Sequence, residues 1–151
     1  MTTEIEYALM AGASYFDTRR PANRFPTPLN WLSFNHQAGD SGFEAISFTN
    51  GTEIVISYAG TYPTDIFGDQ ATNIGLGTGL GSAQAQLLQA AEYYLQVRAA
   101  NPGANITLTG HSLGGGLAAL MGVFFGKVAV TFDQAPFANS AEKSVLRPDA
   151  A

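Results

Sequence analysis

Gly110-His111-Ser112-Leu113-Gly114 sets a serine between two glycines, each two residues from it. A serine hydroxyl is a weak nucleophile, and to attack a carbonyl carbon it must be presented on a sharp turn at the end of a strand. Flanking glycines remove the β-carbons that would crowd such a turn and let strand and helix approach closely. The pentapeptide also arises by chance, so its surroundings decide. Upstream, Ile106-Thr107-Leu108-Thr109 alternates apolar and polar residues as a strand does, and downstream Leu113 to Phe125 is rich in Gly, Ala and Leu, like a helix buried against a sheet. In that setting Ser112 reads as a nucleophile for acyl transfer, with Gly110 and Gly114 shaping the elbow around it. Attack on an ester builds negative charge on the carbonyl oxygen. The backbone N–H of Leu113, at the positive end of the following helix, is one donor able to receive it.

Such a serine works with a histidine base oriented by a carboxylate. The sequence holds 2 histidines. His111 adjoins Ser112 in a tight turn where neighbouring side chains diverge, so it is expected to pack behind the turn. His36 lies in a Pro- and Asn-rich stretch near Trp31 and reads as a surface or locally hydrogen-bonded residue. Neither supplies an evident base. Asp65 and Asp69 sit in a Gly-rich stretch and read as solvated carboxylates, not metal ligands. Gly75-Leu76-Gly77-Thr78-Gly79 does not directly follow a strand and lacks the glycine spacing of a dinucleotide fingerprint. Tyr58, Tyr62 and Phe137 are candidates for an acyl pocket, or plain core aromatics. No cofactor and no metal are implied.

The elements that must position these residues follow from local pattern. Ile5, Leu9 and Met10 at helical spacing predict a helix from Glu4 to Phe16. Residues 17–42, with Pro21, Pro26 and Pro28, read as irregular surface chain. Glu44–Thr49 and Glu53–Tyr58 form a β-hairpin about Asn50-Gly51, a pair suited to a type I′ turn, and the second arm is apolar enough for an interior strand. A Gly- and Thr-rich connection spans 59–81. Ser82 then caps a helix running to about Ala100 with an apolar stripe of Leu87, Leu88, Ala91, Tyr94 and Leu95, stopped by Asn101-Pro102-Gly103. Strand 105–109, the elbow, helix 113–125 and strand 128–132 complete an α/β pattern with a mostly parallel sheet and flanking helices.

At 151 residues the chain is one domain at most, and a hydrophobic content of 46% is ample for a core. A formal net charge of -5 without any run of Lys or Arg excludes nucleic acid as an expected partner. With 0 cysteines, disulfides and thiolate chemistry are excluded. The N-terminus shows no basic region followed by an apolar run, so no N-terminal signal peptide is visible, and no apolar stretch has transmembrane length.

Three segments together resemble the α/β-hydrolase superfamily, and within it the class 3 lipase-like group. They are Ile54-Val55-Ile56-Ser57-Tyr58-Ala59-Gly60-Thr61, Thr109-Gly110-His111-Ser112-Leu113-Gly114-Gly115 and Val130-Thr131-Phe132-Asp133-Gln134-Ala135-Pro136. The resemblance implies a serine hydrolase of carboxylic esters, a lipase or esterase with an ester or lipid substrate. It makes Thr61 the second oxyanion donor, where the plainer reading is a turn residue after a strand. Some members of the superfamily place the triad acid where Asp133 stands, whereas the class 3 pattern places it one strand later; the plainer reading makes Asp133 a turn-capping residue. The superfamily's order of nucleophile, acid and histidine leaves the triad incomplete, because no histidine follows Ser112. Residues 1–151 are therefore expected to form the N-terminal portion of a single α/β-hydrolase domain, ending after the strand that follows the elbow helix. A C-terminal segment or a second copy of the chain would complete the site. The alternative is a non-catalytic fragment or interaction module that keeps the elbow. An acidic chain without cysteine is also compatible with secretion by a route that uses no N-terminal signal.

Overall fold

The computed structural model describes residues 1–15, 24–39, 41–60 and 78–135, with backbone only for 78–82. Its elements are α1 (Glu4–Ala13), β1 (Leu32–Ala38), β2 (Glu44–Thr49), β3 (Glu53–Ala59), α2 (Thr78–Ala100), β4 (Asn105–His111), α3 (Leu113–Phe125) and β5 (Ala129–Phe132). The strands form one 5-stranded sheet in the order β1-β2-β3-β4-β5. β2 pairs antiparallel with both β1 and β3, while β3, β4 and β5 pair in parallel, so only β2 runs against the rest. The mixed α/β architecture with a mostly parallel sheet matches the expectation.

Alternation along β3 explains the layering. Ile54, Ile56 and Tyr58 enter the larger core with Phe43, Leu87, Tyr93, Leu108 and Leu117, under α2 and α3. Val55 points the other way, into a smaller cluster with Tyr7, Met10, Trp31, Ile46 and Phe48 beneath α1. Both faces of β3 are therefore buried, as its apolar run predicts.

The face under α1 carries hydrogen bonds as well as apolar contact. The Ser57 hydroxyl donates to the Met10 carbonyl at 2.7 Å, the Thr109 hydroxyl to the Val130 carbonyl at 2.6 Å, and the Tyr7 hydroxyl to the Thr107 hydroxyl at 2.8 Å. The polar half of the Ile106–Thr109 alternation thus faces a helix. At the start of α1, Thr3 and Glu6 form a reciprocal capping box, and Trp31 Nε1 donates to Glu6 at 2.7 Å. The Thr3 backbone N–H, and then the Trp31 indole, hold the Glu6 carboxyl below its ordinary value.

Several expectations are corrected. α1 ends at Ala13, and it buries Tyr7, Met10, Ala11 and Gly12 while Ile5 is exposed. The stretch read as irregular contains β1, whose almost wholly exposed side chains give no hydrophobic alternation; backbone pairing with β2 makes it a strand. The hairpin turn is not type I′, since Gly51 has φ +100° but Asn50 is not left-handed. Instead Asn50 Oδ1 accepts from the N–H groups of Thr52 and Glu53 at 3.0 and 2.8 Å.

Ser82 does not cap α2, because the helix begins four residues earlier at Thr78. The buried stripe of α2 is Ala83, Gln86, Leu87, Ala90, Tyr93, Tyr94 and Val97, with Leu88 and Leu95 exposed. Among the described residues no helix is long and apolar enough to cross a membrane.

Candidate active site

β4 runs to His111 and α3 starts at Leu113, so Ser112 is the whole turn between them. Its backbone lies at φ 55°, ψ -120°, a region that side-chain-bearing residues seldom occupy. Its hydroxyl makes no capping bond to α3, which leaves the oxygen uncommitted at the helix start. This is the geometry that presents a serine to a substrate.

The strained turn is fixed from several directions. Ser112 N–H donates to the Phe132 carbonyl at 3.0 Å, which ties the elbow to the end of β5. The Ser112 carbonyl accepts from Gly116 N–H at 3.1 Å and from Ala135 N–H at 2.9 Å. The Tyr15 hydroxyl donates to the His111 carbonyl at 2.8 Å. The His111 carbonyl and the N–H and carbonyl of Ser112 are all bonded, and strain of this kind persists only when its surroundings over-determine it.

Both elbow glycines are required by contact. A β-carbon on Gly110 would lie 2.3 Å from the Gly114 carbonyl oxygen, and one on Gly114 would lie 2.1 Å from the Tyr58 carbonyl oxygen. The first contact lets α3 turn back over β4. The second seats α3 on the end of β3.

Leu113 is 4% exposed, and at the first position of α3 its N–H has no intrahelical acceptor. The end of β3 reaches the same place. A β-carbon on Gly60 would stand 3.5 Å from Leu113 Cβ and 3.3 Å from Leu117 Cδ1. Thr61, the second expected donor, lies outside the described residues, as do Tyr62, Asp65, Asp69 and Phe137. Tyr58 is a core residue: it is fully buried, and its hydroxyl donates to the Ala90 carbonyl at 2.9 Å.

Asp133 is exposed, one residue beyond β5 at φ +49°. Phe132 pairs with His111 across the ladder, so Asp133 follows β5 as Ser112 follows β4. The histidines are engaged elsewhere. His36 lies on β1, with β2 and β3 between it and the elbow strand, and its Nε2 is 3.5 Å from Glu44 Oε2. His111 is exposed and not packed behind the turn. Its ring stands edge-on to Tyr15, with centroids 6.3 Å apart, on the wall of a cavity of about 240 Å³ shared with Ala8, Ala11, Gly12, Phe25 and Phe132. The contact from Tyr15 was not legible in the sequence, because nothing local joins residues 96 positions apart.

Comparison with known proteins identifies the family and the fold. Residues 7–145 match the family model of the Tle-like phospholipase domain. Over 100 residues the chain is 39% identical to the extracellular phospholipase A1 of Serratia liquefaciens, covering 66% of this chain and 29% of that protein. Among solved structures, the lipase of Rhizopus microsporus var. chinensis aligns over 85% of this chain and 54% of its own, with TM-score 0.55 at 17% identity. Lipase II of Rhizopus niveus aligns over 79% of this chain and 52% of its own, with TM-score 0.51 at 19% identity. The chain thus spans about half of each fungal lipase and under a third of the Serratia protein. At these identities the fungal enzymes establish a shared lipase fold. With the family match running through nearly all of its length, the chain belongs to the Tle-like phospholipase domain family.

Proposed function

We propose that this chain carries the nucleophile-bearing part of a lipolytic carboxylic ester hydrolase that acts on a lipid ester through an acyl-enzyme on Ser112. The observation that carries the reading is the strained positive-φ backbone of Ser112 between β4 and α3, with its hydroxyl making no capping bond to the helix. In the proposed reaction Ser112 Oγ attacks the acyl carbon while a base takes its proton. The carbonyl oxygen becomes an oxyanion held by the N–H groups of Leu113 and Thr61. The alcohol or lysolipid departs with the proton, and water then attacks the acyl-serine to release the fatty acid.

The engagement of His36 with Glu44 and of His111 with Tyr15 favours a base supplied from elsewhere. We place that base, and an acid unless Asp133 serves, on a segment following residue 151 or on a second copy of the chain. Residues 1–151 then form the N-terminal portion of one hydrolase domain, consistent with spanning about half of the fungal lipases. The extracellular relative from Serratia supports secretion.

The test is hydrolysis of a short-chain p-nitrophenyl ester and of phosphatidylcholine vesicles by this chain and by its Ser112→Ala variant. Turnover that disappears in the variant is expected wherever the base is present. If base comes from a second copy, specific activity should rise with protein concentration. Full turnover by Ser112→Ala would sink the proposal.

A further inference from the structure

α1 ends beside the two strands that carry the two halves of the proposed site. Ser14, its C-cap, is fully buried, and its hydroxyl bonds to the Ala11 carbonyl at 2.9 Å and reaches the Tyr58 carbonyl at 3.3 Å. Tyr15, the next residue, donates to the His111 carbonyl at 2.8 Å. Consecutive residues therefore take hold of the ends of β3 and β4. The carbonyls are also the two that matter for geometry there. Tyr58 O is the atom against which Gly114 rests, two residues before Gly60 and three before Thr61. His111 C=O belongs to the peptide whose N–H is that of Ser112.

We infer that Ser14 and Tyr15 are positioning residues: together they form a brace that fixes the nucleophile on β4 relative to the oxyanion end of β3. This rests on the reading of Ser112 as the nucleophile. The other ties on Ser112 come from β5, its following segment and α3, elements contiguous with the elbow in sequence. Among the described residues Tyr15 alone reaches it from a distant part of the chain, and with Ser14 it spans both halves. Tyr15 is only half buried, so its hydroxyl contributes direction more than burial. A free Ser112 peptide would relax toward ordinary backbone angles, and a nucleophile displaced by an ångström loses much of its rate without losing affinity for substrate.

The test uses the full chain and Tyr15→Phe, which keeps the ring and deletes the hydroxyl. By native-state amide exchange, Ser112, Gly116 and Ala135 should exchange faster in the variant, while Tyr94 in the middle of α2 should not change. In kinetics, kcat should fall roughly tenfold with KM unchanged, about the rate equivalent of one net hydrogen bond. Ser14→Ala should act in the same direction. Unchanged exchange at the elbow amides overturns the brace, and so does a uniform rise that includes Tyr94. A Tyr15→Phe enzyme with normal kcat, where Ser112→Ala is dead, overturns it as well. Turnover surviving in Ser112→Ala overturns the nucleophile reading instead, and amide exchange then decides on the brace alone.

Discussion

The α-carbon of Gly114 rests on the carbonyl oxygen of Tyr58, so closely that a β-carbon there would stand 2.1 Å from it. This contact joins the elbow helix to the strand that leads to Thr61, the proposed second oxyanion donor. No side chain can intervene.

Gly114→Ala is therefore expected to destabilise the protein by about 3 kcal/mol, through backbone displacement at a site with no room to relax. Gly103→Ala is the comparison. Gly103 has φ +81° and open space around it, so only conformational strain is added, about 1 kcal/mol. Urea unfolding of the two variants measures the difference, and equal losses would show that the contact is softer than described.

Ser112→Gly should raise stability by about 1 kcal/mol while removing the proposed nucleophile. The backbone at φ 55°, ψ -120° costs a serine more than a glycine, and the strain released exceeds the added freedom of the unfolded chain. Denaturant midpoints of wild type, Ser112→Gly and Ser112→Ala resolve this. The alanine variant keeps the strain and should show no comparable gain.

Alkaline pH should unfold the protein from within its larger core. Burial pushes the Tyr58 and Tyr93 hydroxyls above the ordinary tyrosine value of 10.0, with Tyr93 adding to the effect on Tyr58. A raised folded-state value means that the unfolded chain releases these protons first. Stability is thus complete below pH 10 and falls above it, by about 1.4 kcal/mol per pH unit for each tyrosine. Tyr93→Phe should flatten the slope of unfolding free energy against pH. An unaltered slope would contradict the assignment.

Much of the elbow was legible because its chemistry is local. Ser112, Gly110 and Gly114 must be neighbours in sequence to be neighbours in space, and the strand before and helix after them carry their own periodicity. What escaped was held by distant pairing. β1 shows no alternation because both its faces are largely exposed, and only β2 makes it a strand. The buried stripe of α2 is rotated from the expected one because Gln86, a polar residue, packs inward beside Gly60, while Leu88 and Leu95 face out. Composition favours leucine for the core, but only the packed neighbour decides which side of a helix is inside. The Tyr15 contact was hidden for the same reason. Its partner is a backbone carbonyl, which every residue possesses and no motif advertises.

The irregularity in β1 has a consequence for assembly. Register shifts between Phe34 and Gln37, Asn35 sits at φ 59°, and the Tyr93 hydroxyl fastens the Asn35 carbonyl. An incoming strand needs an unbroken row of backbone donors and acceptors, and this bulge interrupts that row halfway along the outer margin. The sheet is thereby blunted against edge-to-edge aggregation on the β1 side.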